Sequence, residues 1–155
     1  AGITYVLVKN LVVSVQRQKR QMSVVLYNKT VSVPCIGLLD SGNLLTMPLS
    51  GNPVHIADAA LLQKLVDEKT VQKEIEYRAL GNPQGKLQVY CMDGMKVETE
   101  PAKFCDWKQV WVGCAENGVL CNKPYQLILH ASVADHCGCT KRSIPNDKKT
   151  EKGET

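Results

Sequence analysis

The chain has no apolar run approaching the roughly 20 residues of a bilayer-spanning helix, and no basic start with an apolar centre behind it that would mark a secretory signal. Those absences exclude a membrane-crossing helix within the 155 residues and predict a soluble fragment. The first residue is Ala1 and strand-like sequence follows at once, so the expectation is a domain whose natural N-terminal extension, with room for a membrane anchor, has been removed. Charge of one sign is scarce too: 19 Lys and Arg against 15 Asp and Glu leave +4, part of it between Lys141 and Thr155. So small an excess argues against nucleic acid as a partner. The cluster Arg17-Gln18-Lys19-Arg20 reads as a solvated hairpin end. With 44% hydrophobic and 22% charged residues nothing indicates general disorder, and the length fits one domain with a real core.

Cysteine is plentiful, but its count of seven is odd and the chain is large enough to fold without a disulfide framework. The thiols read as reduced, as in a cytosol. Cys35, Cys91, Cys105 and Cys114 fall in or beside apolar strand-like segments, where a free cysteine acts as a small buried hydrophobe. His136-Cys137-Gly138-Cys139, with Cys121, has the ligand types of a zinc site, yet Cys-x-Cys lacks the usual paired spacing. A disulfide or an idle thiol is the reading there, and no metal or other cofactor is expected.

What stands out is a single Asp-Ser-Gly in Leu38-Leu39-Asp40-Ser41-Gly42-Asn43. Two apolar residues before Asp40 indicate a buried strand, and Gly42 and Asn43 tolerate a sharp turn, so the carboxylate sits where strand becomes loop. An aspartic protease presents its catalytic carboxylate in this way. Asp, Ser and Gly are also common turn formers, and the flanks are what favour the catalytic reading over a solvated loop. The chain contains no second Asp-Ser-Gly or Asp-Thr-Gly, so paired-carboxylate chemistry requires a second copy in a two-fold symmetric dimer.

The rest reads as mostly β. Ile3 to Val8, Leu11 to Val15 and Met22 to Tyr27 are rich in β-branched and apolar residues, and Asn28-Lys29 turns into Thr30 to Val33 ahead of the Asp40 strand. One helix is predicted from Asp58, as N-cap, through Lys69, with Leu61, Leu62, Leu65 and Val66 as its apolar stripe. Strands over about Glu74 to Leu80 and Lys86 to Met92 flank the turn-forming loop Gly81-Asn82-Pro83-Gln84-Gly85, a projecting hairpin that can serve as a lid. Val110-Trp111-Val112-Gly113 reads as a buried strand ending in a close backbone approach, and Tyr125 to Val133 as the last core segment. The polar stretch 140–155 is expected to be disordered, leaving 1–139 as the domain.

Asp40-Ser41-Gly42-Asn43-Leu44-Leu45-Thr46-Met47-Pro48 followed by Leu49-Ser50-Gly51-Asn52-Pro53-Val54 resembles the active-site segment of the sporulation sigma-E factor-processing peptidases, membrane-associated aspartic proteases of endospore-forming bacteria. The pattern D-[TS]-G-N-x-L-x-x-P-L-x-G-x-P-V is long and specific. The resemblance continues through Arg78-Ala79-Leu80-Gly81, Gly85-Lys86-Leu87, Val112-Gly113, Tyr125 and Leu127 to His130, covering about residues 3 to 135. Ala79 departs from it, standing where a small hydroxyl residue is frequent, and His136-Cys137-Gly138-Cys139 is not part of the pattern.

This resemblance implies a single-lobe retropepsin-like acid protease β-barrel with one or two short helices and a homodimeric active site. It implies that Asp40 is catalytic, that Ser41 and Gly42 brace it across the dimer axis, that Asn43 supports its loop, and that Val112-Gly113 packs behind that loop. Arg78, Leu80, Gly81, Asn82 and Gly85 fall in the flap that binds substrate, with Arg78 a candidate partner for a carbonyl or acidic group. The implied substrate is a sporulation sigma-factor precursor whose inhibitory N-terminal segment is removed. The implied partners are a multi-spanning N-terminal membrane region and a signalling protein from the other compartment, which places the whole protein at the cytoplasmic face of the mother-cell membrane. Two alternatives stay open: another bacterial regulatory substrate, such as an anti-sigma factor, or a catalytically silent peptide-binding module.

Overall fold

A computed structural model of the chain describes residues 19–79, 82–116 and 118–138. The strands expected over Ile3 to Val8 and Leu11 to Val15, the flap residues Leu80 and Gly81, Cys139 and the tail over 140–155 lie outside them. Strands β1 (Lys19–Asn28) and β2 (Val31–Asp40) pair antiparallel, from Lys19 opposite Asp40 to Asn28 opposite Val31. Alternation does the work: Met22, Val24 and Leu26 turn inward while Gln21 and Ser23 face out. The reversal falls on Lys29 and Thr30, with Lys29 at φ 57.

The chain continues through β3 (Val54–Ala57), α1 (Ala59–Leu65), β4 (Gln72–Ala79), β5 (Asn82–Glu100), β6 (Lys103–Cys114), β7 (Leu127–Leu129) and α2 (Ser132–Gly138). The strand order is β1-β2-β7-β3-β6-β5-β4, and β5 also pairs with β1 over Val24–Tyr27, so six strands close into a barrel. β4 stays outside that closure, paired only with the first half of β5. The 19-residue β5 therefore runs from the hairpin into the barrel wall, where sequence reading saw only Lys86 to Met92.

The barrel is filled by Leu26, Met92, Met95, Val97, Val112, Leu127 and Leu129, each without exposed surface. Under the hairpin lies a second cluster of Met47, Val54, Ile75, Leu87 and Val89. Helix α1 buries Leu61, Leu62 and Leu65 but ends four residues before Lys69. The Asp67 carboxylate accepts the Lys69 N–H at 2.9 Å, the Thr70 hydroxyl at 2.9 Å and Lys29 Nζ at 2.9 Å, a local turn that competes with another helical turn. Asp58 does precede the helix, yet it caps through its carbonyl, which accepts the Leu61 and Leu62 N–H groups at 3.1 Å. Cys35, Cys91, Cys105 and Cys114 are free and half-buried rather than fully buried, and Cys121 is free and exposed.

Candidate active site

Asp40 is the last residue of β2 and is only 5% exposed. The chain turns at once: the Asn43 N–H donates to the Asp40 carbonyl at 3.0 Å, and the Gly42 N–H donates to Asp40 Oδ1 at 2.9 Å. This is the turn that an Asp with a following Ser-Gly favours, because the side chain replaces a backbone acceptor. Ser41 is half-buried and Gly42 exposed. Asn43 then ties the loop down with both ends of its side chain and its carbonyl. Its Oδ1 accepts the Leu45 N–H at 3.2 Å, its Nδ2 donates to the Val54 carbonyl at 3.3 Å, and its carbonyl accepts the Ala131 N–H at 2.9 Å. Asp40, Ser41, Gly42 and Asn43 thus form one braced loop.

Val112 and Gly113 lie in the barrel wall. They belong to β6, which pairs parallel with β3 through His55 opposite Val112 and Ile56 opposite Gly113. The strand directly beside Leu38 and Leu39 is β7, parallel, with Leu38 opposite Ile128 and Leu39 opposite Leu129. Val112 shares the barrel core with Leu39, and Gly113 serves the hairpin: a Cβ there would meet Leu87 Cδ2 at 2.5 Å. Leu127–Leu129 is the apolar strand paired with the end of β2, two strands from Val112-Gly113 in the sheet order.

The hairpin is also tighter than a five-residue loop. Ladder pairing reaches Ala79 opposite Asn82, with a register irregularity after Tyr77, so Arg78 and Asn82 are strand residues and Gly85 lies opposite Tyr77. Gly85 is needed there, since a Cβ would fall 2.6 Å from Tyr77 Cζ. Tyr77 and Leu87 of the hairpin and Leu45, two residues past the Asp40 loop, share a cleft of about 190 Å³ with Ile56, Ala115, Glu116 and Val119. Apart from Glu116 its walls are apolar, as a pocket for a side chain of an extended peptide would be. Leu45 belongs to the motif that follows Asp40, whereas Tyr77, one residue before Arg78, carries no signal of its own in the sequence.

Two buried histidines were also missed as site residues. His55 in β3 is 3% exposed and His130, directly after β7, is 7% exposed. Burial, with His130 nearby, pushes the His55 ring down to about 3. Burial lowers His130 as well, against the raising effects of the Leu44 carbonyl and Asp135. No group of three His, Cys, Asp or Glu among the described residues is placed to hold a metal ion.

A closed six-stranded barrel of mostly β structure, with two short helices and an Asp-Ser-Gly at a strand end, is the single-lobe retropepsin-like fold. The chain belongs to the sporulation factor SpoIIGA family, whose model, peptidase U4, matches residues 1–133. No curated protein and no solved structure matches it. Membership supports a protease role in sporulation, with a protein as substrate.

Proposed function

We propose that this chain is an aspartic endopeptidase that removes the inhibitory N-terminal segment of a sporulation sigma-factor precursor, with Asp40 from each of two copies forming its active site. The observation that carries the reading is the buried Asp40 carboxylate, whose Oδ1 accepts the Gly42 N–H at the end of β2, in a chain that has no second such motif. One carboxylate is half of an acid–base pair. Two of them about 3 Å apart cannot both ionise, so the dyad shares one proton. Its ionised member takes a proton from a water between the two, and its protonated member hydrogen-bonds the scissile carbonyl. Water attacks the carbonyl carbon, the roles reverse, and the leaving amine is protonated without a covalent intermediate.

The substrate lies extended, its main chain against the β4–β5 hairpin and a side chain in the cleft between Leu45 and Tyr77. In the whole protein a membrane region raises the local concentration of protease domains at the cytoplasmic face, so the isolated domain dimerises weakly and a signalling protein acting through that region gates it. A tight dimer at nanomolar concentration in sedimentation would contradict this part. The test of function is cleavage of a sigma-factor precursor by the chain, tethered to favour dimerisation, beside an Asp40→Ala control. Cleavage that vanishes in the control supports the proposal, and a dimeric sample that leaves the precursor intact overturns the substrate assignment.

A further inference from the structure

Hydrolysis by an aspartate pair has no chemical use for a buried histidine, yet two of them back the Asp40 loop. The His130 N–H donates to His55 Nδ1 at 2.9 Å. The Ser132 N–H donates to His130 Nδ1 at 3.0 Å, with Ser132 Oγ 2.9 Å from the same nitrogen. A backbone N–H can only donate, so both Nδ1 atoms are acceptors and each neutral ring carries its proton on Nε2. The tautomers follow from the backbone alone.

These bonds close a ring with the site. Asn43 Nδ2 donates to the Val54 carbonyl at 3.3 Å, and the next residue along β3 is His55. His55 accepts from His130, and the next residue, Ala131, donates its N–H to the Asn43 carbonyl at 2.9 Å. Three segments, the Asp40 loop, β3 and the β7–α2 junction, are thereby clasped by three hydrogen bonds, and His55 supplies the one side-chain acceptor outside the loop itself. We propose that His55 is a positioning residue whose neutral ring closes this clasp and holds the Asp40 loop in its working shape. The proposal rests on the reading of Asp40 as catalytic.

Its consequence is an acid limit on the protease. A proton on His55 Nδ1 would face the His130 N–H, so protonation must open the clasp. Around His55 stand His130, Asp135 of α2 beyond it, and Lys108, which lines with His55 a cleft of about 260 Å³. Lys108 is held by Asp106 at 3.1 Å and Tyr27 at 3.0 Å. The His55 ring lies near 3 in the folded chain against an ordinary 6.5, so the unfolded chain takes up its proton first as pH falls. The stabilisation is complete above pH 6.5 and is lost progressively as pH drops toward 3.

The test compares His55→Asn, whose Oδ1 can replace Nδ1 as acceptor but does not titrate, with His55→Leu, which fills the site without an acceptor. Precursor cleavage is measured as kcat and KM across pH, beside urea stability. The expected result is a loss of about tenfold or more in kcat for His55→Leu with little change in KM, recovery of most of it in His55→Asn, and an acid limb displaced to lower pH in His55→Asn. Equal kcat in the two variants, or an unmoved acid limb in His55→Asn, would overturn the proposal. Nitrogen NMR of the wild-type histidines needs no variant to fold: a neutral Nε2–H ring for His55 at about pH 5 supports the clasp, and an imidazolium there refutes it. If Asp40 proved not to be catalytic, cleavage would survive Asp40→Ala while the NMR and stability results would still decide the clasp.

Discussion

The Gly42 N–H points at Asp40 Oδ1 from 2.9 Å, so the residue that ends the β2 strand is oriented by a backbone donor only two positions on. An asparagine can accept the same bond. Asp40→Asn is therefore expected to leave the barrel folded while lowering precursor cleavage by about 10²–10⁴-fold, the usual worth of a general acid–base group. Circular dichroism and a cleavage assay on one sample check both halves.

Tyr77 crosses Gly85 so closely that even an alanine Cβ would fall 2.6 Å from the ring. Gly85→Val is expected to push Tyr77 out of the cleft it shares with Leu45 and Leu87, to cost about 1–3 kcal/mol, and to raise KM more than it lowers kcat. Steady-state kinetics with urea unfolding separates the two effects.

Leu129 has no exposed surface and sits opposite Leu39, one residue before Asp40. Leu129→Ala is expected to destabilise the fold by about 2–5 kcal/mol by leaving a cavity. Leu49, fully exposed in the turn after the Asp40 loop, is the contrast: Leu49→Ser should stay within about 0.5 kcal/mol.

Lys29 and Thr70 hold the Asp67 carboxyl down to about 2, from 3.8. A lowered carboxyl stabilises above its unfolded value and stops doing so as pH falls through the folded one. Asp67→Asn is thus expected to flatten the stability profile between pH 3.8 and 2, by a small amount because the pair is exposed to solvent. Thermal melts over that range, with Lys29→Met as a second variant, check the sign.

Asp40 at a strand end, the short strands and the hairpin were legible in the sequence because each rests on local signals, namely period-two burial, turn residues and one motif. What was not legible is which strands meet. Nothing in Val112-Gly113 or Leu127-Ile128-Leu129 distinguishes the neighbour of β3 from that of β2, since both are short apolar runs and parallel pairing leaves no turn between partners. The length of β5 was hidden by the polar residues Asp93, Lys96 and Glu98: Asp93 and Lys96 are exposed while Gly94 and Met95 between them are both buried, so the pattern breaks a strict period of two. His55 escaped because its role depends on His130, 75 residues away.

The central claim, one Asp40 from each of two chains, is tested most directly by mixing. At a concentration where sedimentation shows dimers, equal amounts of wild-type and Asp40→Asn chain are combined and precursor cleavage is compared with the same amount of wild type alone. Random exchange leaves only part of the wild-type chains paired with each other, and the rate should fall to about half. An unchanged rate would mean that each chain carries a complete site, and would contradict the account.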